Sequence, residues 1–112
     1  MPSPDVLLPA SRFHEASRRI APHIRRTPLV RSPWLSDLTG GPVHLKLESL
    51  QLTGSFKLRG AVNAALAHQA RVEAGSAAPQ LVTASAGNHG RGLAWAAHTL
   101  GLPLGVFTPR HP

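Results

Sequence analysis

Lys57 and the run SFKLRG around it hold the first chemistry this chain offers. Lysine and arginine together number 12, and only Lys46 and Lys57 are lysines. An amine here therefore marks a choice of chemistry as well as of charge. Ser55 reads as an N-cap, which starts a helix at Phe56 and puts Lys57 in its first turn. Free amide N–H groups and the positive end of the helix dipole gather there and disfavour an ammonium. Between Phe56 and Leu58 the lysine should lose its proton more readily and become a nucleophile able to form a Schiff base with a carbonyl. Arginine cannot do this, because a guanidinium stays protonated. On position alone, a solvated surface lysine is the plainer alternative.

TASAGNHG, Thr83 to Gly90, is the second such stretch. It leaves a strand and enters a helix. Backbone N–H groups of such a turn, with Ser85 and the Asn88 side chain, form a cradle for a carboxylate or another anion. Gly87 and Gly90 allow backbone to approach a ligand closely. The same residues also serve as ordinary turn punctuation, and His89 taken alone reads as a cap or a packed histidine rather than a base.

The elements that must position these residues follow from periodicity. Phe13, Ala16, Ile20 and Ile24 have helical spacing, and Pro22 ends that helix, giving about Ser11 to Ala21. A short extended piece around Leu29 to Arg31, a brief helix near Leu35 and a turn at Gly40-Gly41 come next. Val43 to Glu48 alternates at period two and reads as a strand. The helix from Phe56 to about Ala70 would bury Leu58, Val62, Ala65 and Leu66. Leu81 to Ala84 reads as a buried strand. Leu93, Ala97 and Leu100 mark a helix that Gly101 ends, and PLGVFT is a further strand. Strands alternating with helices predict an α/β fold with a parallel sheet. Residues 1–25 form an N-terminal helix region and 26–112 the start of an α/β core.

Composition narrows the function classes. The chain has no cysteine, which excludes disulfide and thiolate chemistry. No apolar run reaches the roughly 20 residues of a membrane span. The N-terminal MPSPDVLLPASRFHE has no basic residue before its apolar patch and is not read as a signal peptide, so the expected location is cytoplasmic. A net charge of +7 invites a nucleic-acid reading, but the arginines are scattered and there is no tyrosine. With few aromatics there is no stacking platform for single strands, and no nucleic-acid partner is expected.

LESLQLTGSFKLRGAVNAAL followed by TASAGNHGRGLAWAAHTLGL resembles the pyridoxal-phosphate enzymes of the tryptophan synthase beta fold, and within them the serine/threonine dehydratase and serine racemase group. RTPLVRSPWLS is similar to that group's N-terminal segment. The resemblance implies a three-layer sandwich of fold type II, here only in part, with pyridoxal 5'-phosphate as cofactor and no metal site in this portion. It makes Lys57 the catalytic lysine that holds the cofactor, sets Phe56 beside the pyridine ring and gives Asn88 a hydrogen bond to the ring oxygen. Ser85, Gly87, Asn88 and His89 become the loop that receives the substrate carboxylate. Arg59 and Asn63 belong to the motif, and a structural ion pair is the reading for Arg59.

Leu58 after the lysine fits the dehydratases. Ala86 stands where serine racemases carry a serine, and alanine cannot donate a proton. The implied activity is deamination of L-threonine or L-serine to a 2-oxo acid and ammonia, with a racemase or another relative as alternative. A non-enzymatic remnant or basic binding module is the alternative of another class. Arg91 replaces the family's usual Gln and leaves substrate preference open. The family's glycine-rich phosphate loop, its partner for the pyridine nitrogen and its acidic metal cluster are not in this sequence. An N-terminal piece of a longer, homo-oligomeric enzyme is therefore expected, with weak cofactor binding, no turnover and poor solubility on its own.

Overall fold

The computed structural model describes residues 8–110. The first half of the stretch weighed as a signal peptide, and the last two residues of PRHP, lie outside the described residues.

Helix α1 spans Ala10–Ile20. Arg18 and Arg19 in its last turn suit the negative end of the dipole. Pro22, which has no N–H to give, turns the chain into a 3-10 turn at Ala21–His23. Of the predicted stripe only Ile20 is buried; Phe13 is exposed, because no described segment covers that end of the helix.

Strand β1 (Leu29–Arg31), helix α2 (Pro33–Thr39) and strand β2 (His44–Lys46) form a compact unit. Ser32 caps α2 by accepting from the Leu35 N–H at 3.3 Å. The Ser36 hydroxyl donates to the Ser32 carbonyl at 2.6 Å and accepts from the Val43 N–H at 2.9 Å. These bonds fold the segment back on itself, so β2 lies antiparallel beside β1 with Leu29 opposite Lys46. The strand expected over Val43 to Glu48 is thus shorter, and it does not join the parallel sheet. A parallel neighbour needs a crossover, whereas this chain reverses locally.

Helix α3 (Lys57–Glu73), strand β3 (Leu81–Ala84), helix α4 (Asn88–Leu100) and strand β4 (Leu104–Phe107) form the α/β portion. β3 and β4 pair in parallel, Leu81 opposite Leu104, with α4 as the crossover. Gly101 ends α4 in the left-handed conformation at φ 67°, as expected.

The core lies where α3 meets α4. Leu58, Ala61, Val62 and Ala65 pack against Leu93 and Ala96, with Ile20 from α1; Leu58 and Val62 are fully buried. Leu66, the fourth residue of the predicted stripe, is half-buried. Successive strand residues face opposite ways. Leu81 and Leu104 reach the core, while Val82 and Phe107 stand 61% and 68% exposed on the other side of the parallel pair.

Candidate functional site

Lys57 opens α3 at the end of a tightly held loop. The Gln51 side-chain oxygen accepts from the backbone N–H groups of Arg25 (2.9 Å) and Leu52 (3.1 Å), and its amide donates to the Arg25 carbonyl at 2.8 Å. Gly54 turns the loop at φ 78°, a region where a side chain would be strained. Phe56 rather than Ser55 occupies the cap position. Ser55 is buried one residue earlier and accepts from the Lys57 N–H at 3.4 Å, so it supports the first turn without being its cap. The Lys57 amine stands 5.1 Å from the centre of the Phe56 ring, which is 60% exposed. That places it within cation–π distance of an open aromatic face. The Thr53 hydroxyl in the same loop is buried and has no hydrogen-bond partner among the described residues.

The second motif folds around Ser85. Its backbone N–H donates to the Phe107 carbonyl at 3.0 Å, one step beyond the paired strands. Its hydroxyl accepts from the N–H groups of Gly87 (3.2 Å) and Gly90 (2.9 Å). Arg91 N–H bonds the Gly87 carbonyl. The amides of Asn88 and His89 are left at the open start of α4, where a helix has no internal acceptors for them. The Asn88 side chain is exposed, and the His89 Nε2 lies 3.1 Å from the Thr83 hydroxyl.

The two predicted close-approach glycines part company here. Gly87 has open space where a side chain would begin. Gly90 is buried, and an added Cβ would meet Ser85 at 3.1 Å. Gly90 therefore admits its own cap rather than a ligand.

Gly92 joins the motifs, a role the sequence reading missed. A Cβ there would touch the backbone of Lys57 and Leu58 at 3.4 Å, so the first turn of α3 and the second turn of α4 cross at this point. Gly92 stands four residues before Ala96, a small-residue spacing that marks a face of α4 but names no partner for it. The crossing frames a concavity of about 520 Å³ whose lining includes Phe56, Lys57, Arg59, Thr83 and His89. Ser85 and Ala86 instead border a neighbouring hollow of about 390 Å³ beside Phe107. Gly87 and Asn88 line neither.

Glu48 is the other residue the sequence did not single out. Arg59 donates to it through Nε at 2.9 Å and a terminal nitrogen at 2.8 Å, a bidentate pair. The predicted structural ion pair of Arg59 is present. The Thr27 hydroxyl donates to the same carboxylate. The Arg59 hydrogen bonds pull the Glu48 carboxyl down to about 2 from its ordinary 4.5; partial burial opposes this and the Thr27 bond adds to it. The carboxylate in turn raises Arg59 above its ordinary value. Asn63, also in the motif, accepts from Arg19 at 2.7 Å and ties α1 to α3.

Among the described residues no helix is long and apolar enough to cross a membrane. No group of three His, Asp or Glu side chains among them is placed to hold a metal ion.

A family model described as pyridoxal-phosphate dependent enzyme matches residues 20–111. An L-threonine ammonia-lyase of Geobacter sulfurreducens is 43% identical over 103 residues, covering 92% of this chain and 25% of the relative. Among solved structures, a threonine deaminase from T.th. is 43% identical with a TM-score of 0.72, covering 89% of this chain and 33% of that one. A pyridoxal 5'-phosphate-dependent aspartate racemase is 37% identical with a TM-score of 0.80, covering 93% and 32%. The chain thus spans a quarter to a third of the length of the relatives it matches.

Proposed function

Because this chain belongs to the family of pyridoxal-phosphate dependent enzymes, we propose that it contributes the catalytic lysine and the carboxylate-binding loop of a threonine/serine ammonia-lyase. The crossing at Gly92 carries this reading, since it sets the Lys57 turn against α4, whose His89 lines the same concavity. A cytoplasmic, homo-oligomeric enzyme acting on L-serine as well as L-threonine goes with it.

The donor set fits the cofactor. It combines a primary amine, an exposed aromatic face in Phe56 and an exposed side-chain amide in Asn88 at a helix start. Lys57 would hold the cofactor, Phe56 would flank its ring and Asn88 would bond its ring oxygen. When bound, pyridoxal phosphate serves as the electron sink for charge left at the substrate Cα.

The protein's own part is positional and protolytic. The free amides of Asn88 and His89 take the substrate carboxylate, with Gly87 leaving room for close approach. Ser85 keeps the loop in that shape through its two N–H bonds. The Lys57 amine takes the proton from Cα as general base. Loss of the β-hydroxyl as water and hydrolysis of the resulting enamine give, from threonine, 2-oxobutanoate and ammonia. Ala86, which has no proton to donate, favours this outcome over racemisation.

The test is 2-oxo acid formation from L-threonine and L-serine by the polypeptide that carries this sequence. Turnover that is lost in Lys57→Ala is expected. D-serine formed from L-serine without 2-oxo acid would instead establish a racemase.

A further inference from the structure

We infer that Glu48 is a positioning residue for the Lys57 amine, acting through its bidentate pair with Arg59; the inference rests on the proposed role of Lys57. The Lys57 side chain is exposed and has no hydrogen-bond partner among the described residues; beside the Phe56 ring 5.1 Å away, the backbone of its turn is what orients it. Gly92 supports that backbone from the α4 side. On the other side the only charged bond to the first turn of α3 among the described residues is Arg59 to Glu48, two residues beyond Lys57. Glu48 is itself braced by Thr27, a buried residue of a separate segment. The loop Gln51 to Phe56 is thus spanned by an ion pair whose partners flank it on both sides, and its first residue is tied to Arg25.

The pair also manages charge. Arg59 and Lys57 line the same concavity. A guanidinium held by two carboxylate oxygens keeps a fixed direction, because both groups are planar forks. Without Glu48 it would be an unpaired cation beside the amine, free to compete for the phosphate or carboxylate of whatever enters. Glu48 remains ionised down to about pH 2, so the restraint holds across the physiological range.

The chain supplies its own reference for a test. Lys46, the other lysine, donates to the Thr27 carbonyl at 2.6 Å and lies outside the concavity. The 112-residue chain is mixed with pyridoxal phosphate and reduced with borohydride. The aldehyde carbon condenses with a lysine nitrogen and releases water. Hydride then adds to the C=N carbon and leaves a secondary amine that peptide mass mapping assigns to Lys46 or Lys57.

The wild-type chain is expected to carry the label mainly on Lys57. Glu48→Gln is expected to lower the Lys57-to-Lys46 ratio about fivefold with helical circular dichroism retained. Arg59→Lys, which keeps one charged bond but not the fork, is expected to fall between them. A Lys57 preference unchanged in Glu48→Gln overturns the positioning role and leaves the proposed role of Lys57 standing. Equal labelling of both lysines in the wild-type chain overturns both. Should Glu48→Gln lose its helical signal, Arg59→Lys decides: an unchanged ratio there overturns the inference, and a reduced one supports it.

Discussion

Gly90 sits where any added Cβ would come within 3.1 Å of Ser85, in a buried position. Gly90→Ala requires Ser85 to give by a few tenths of an ångström, which opposes the helix-propensity gain of about 1 kcal/mol, so no net stabilisation in urea unfolding is expected. Ser85→Ala removes the acceptor for two N–H groups and should cost about 1–2 kcal/mol. Thr53 points the other way. Its hydroxyl is buried without a partner among the described residues, so Thr53→Val should leave the fold unchanged or raise its stability by about 1 kcal/mol in the same assay. The candidate site residues stood out in the sequence by type: Lys57 against a background of arginine, and Asn88 and His89 after a strand. Glu48, Thr27 and Gly92 were not. Their importance comes from partners 11 or more positions away, and no local spacing announces such a contact.

Period-3.6 patterns located α1, α3 and α4 to within a few residues; α3 and α4 bury stripes against each other, while α1 buries only Ile20. The antiparallel pairing of β1 with β2 escaped the same reasoning. Alternation in VHLKLE indicates a strand but not its partner, and the partner was decided by the Ser32–Ser36–Val43 hydrogen bonds. The Glu48–Arg59 pair links the segment just after β2 to α3 and makes the joint between the elements sensitive to acid. The carboxyl titrates at about 2 in the fold against an ordinary 4.5, so the unfolded chain binds more protons between those values. Stability from this carboxylate is complete above about pH 4.5 and is lost as pH falls towards 2. Urea midpoints measured from about pH 5 down to about pH 2 should fall, and Glu48→Gln should flatten that part of the slope.

At the scale of the whole molecule the chain is open. Its radius of gyration is 17.4 Å, against about 13 Å for a compact domain of this length. Trp34, Leu38, Val82 and Phe107 are all more than half exposed, and among the described residues β3 and β4 pair as a two-stranded sheet. Exposed apolar surface beside unpaired strand edges favours association. Sedimentation should show species growing with concentration, and Phe107→Lys should raise the soluble fraction.

Ser85 belongs to two structures at once: its amide extends the ladder to Phe107, and its hydroxyl holds the first turn of α4. The loop is thereby stitched to the last rung of the sheet. A strand that docks on β4 and stiffens its end would slow hydrogen exchange at the Gly90 amide, while fraying at Phe107 would speed it. One backbone proton beside the site would then report on events at the sheet's far edge.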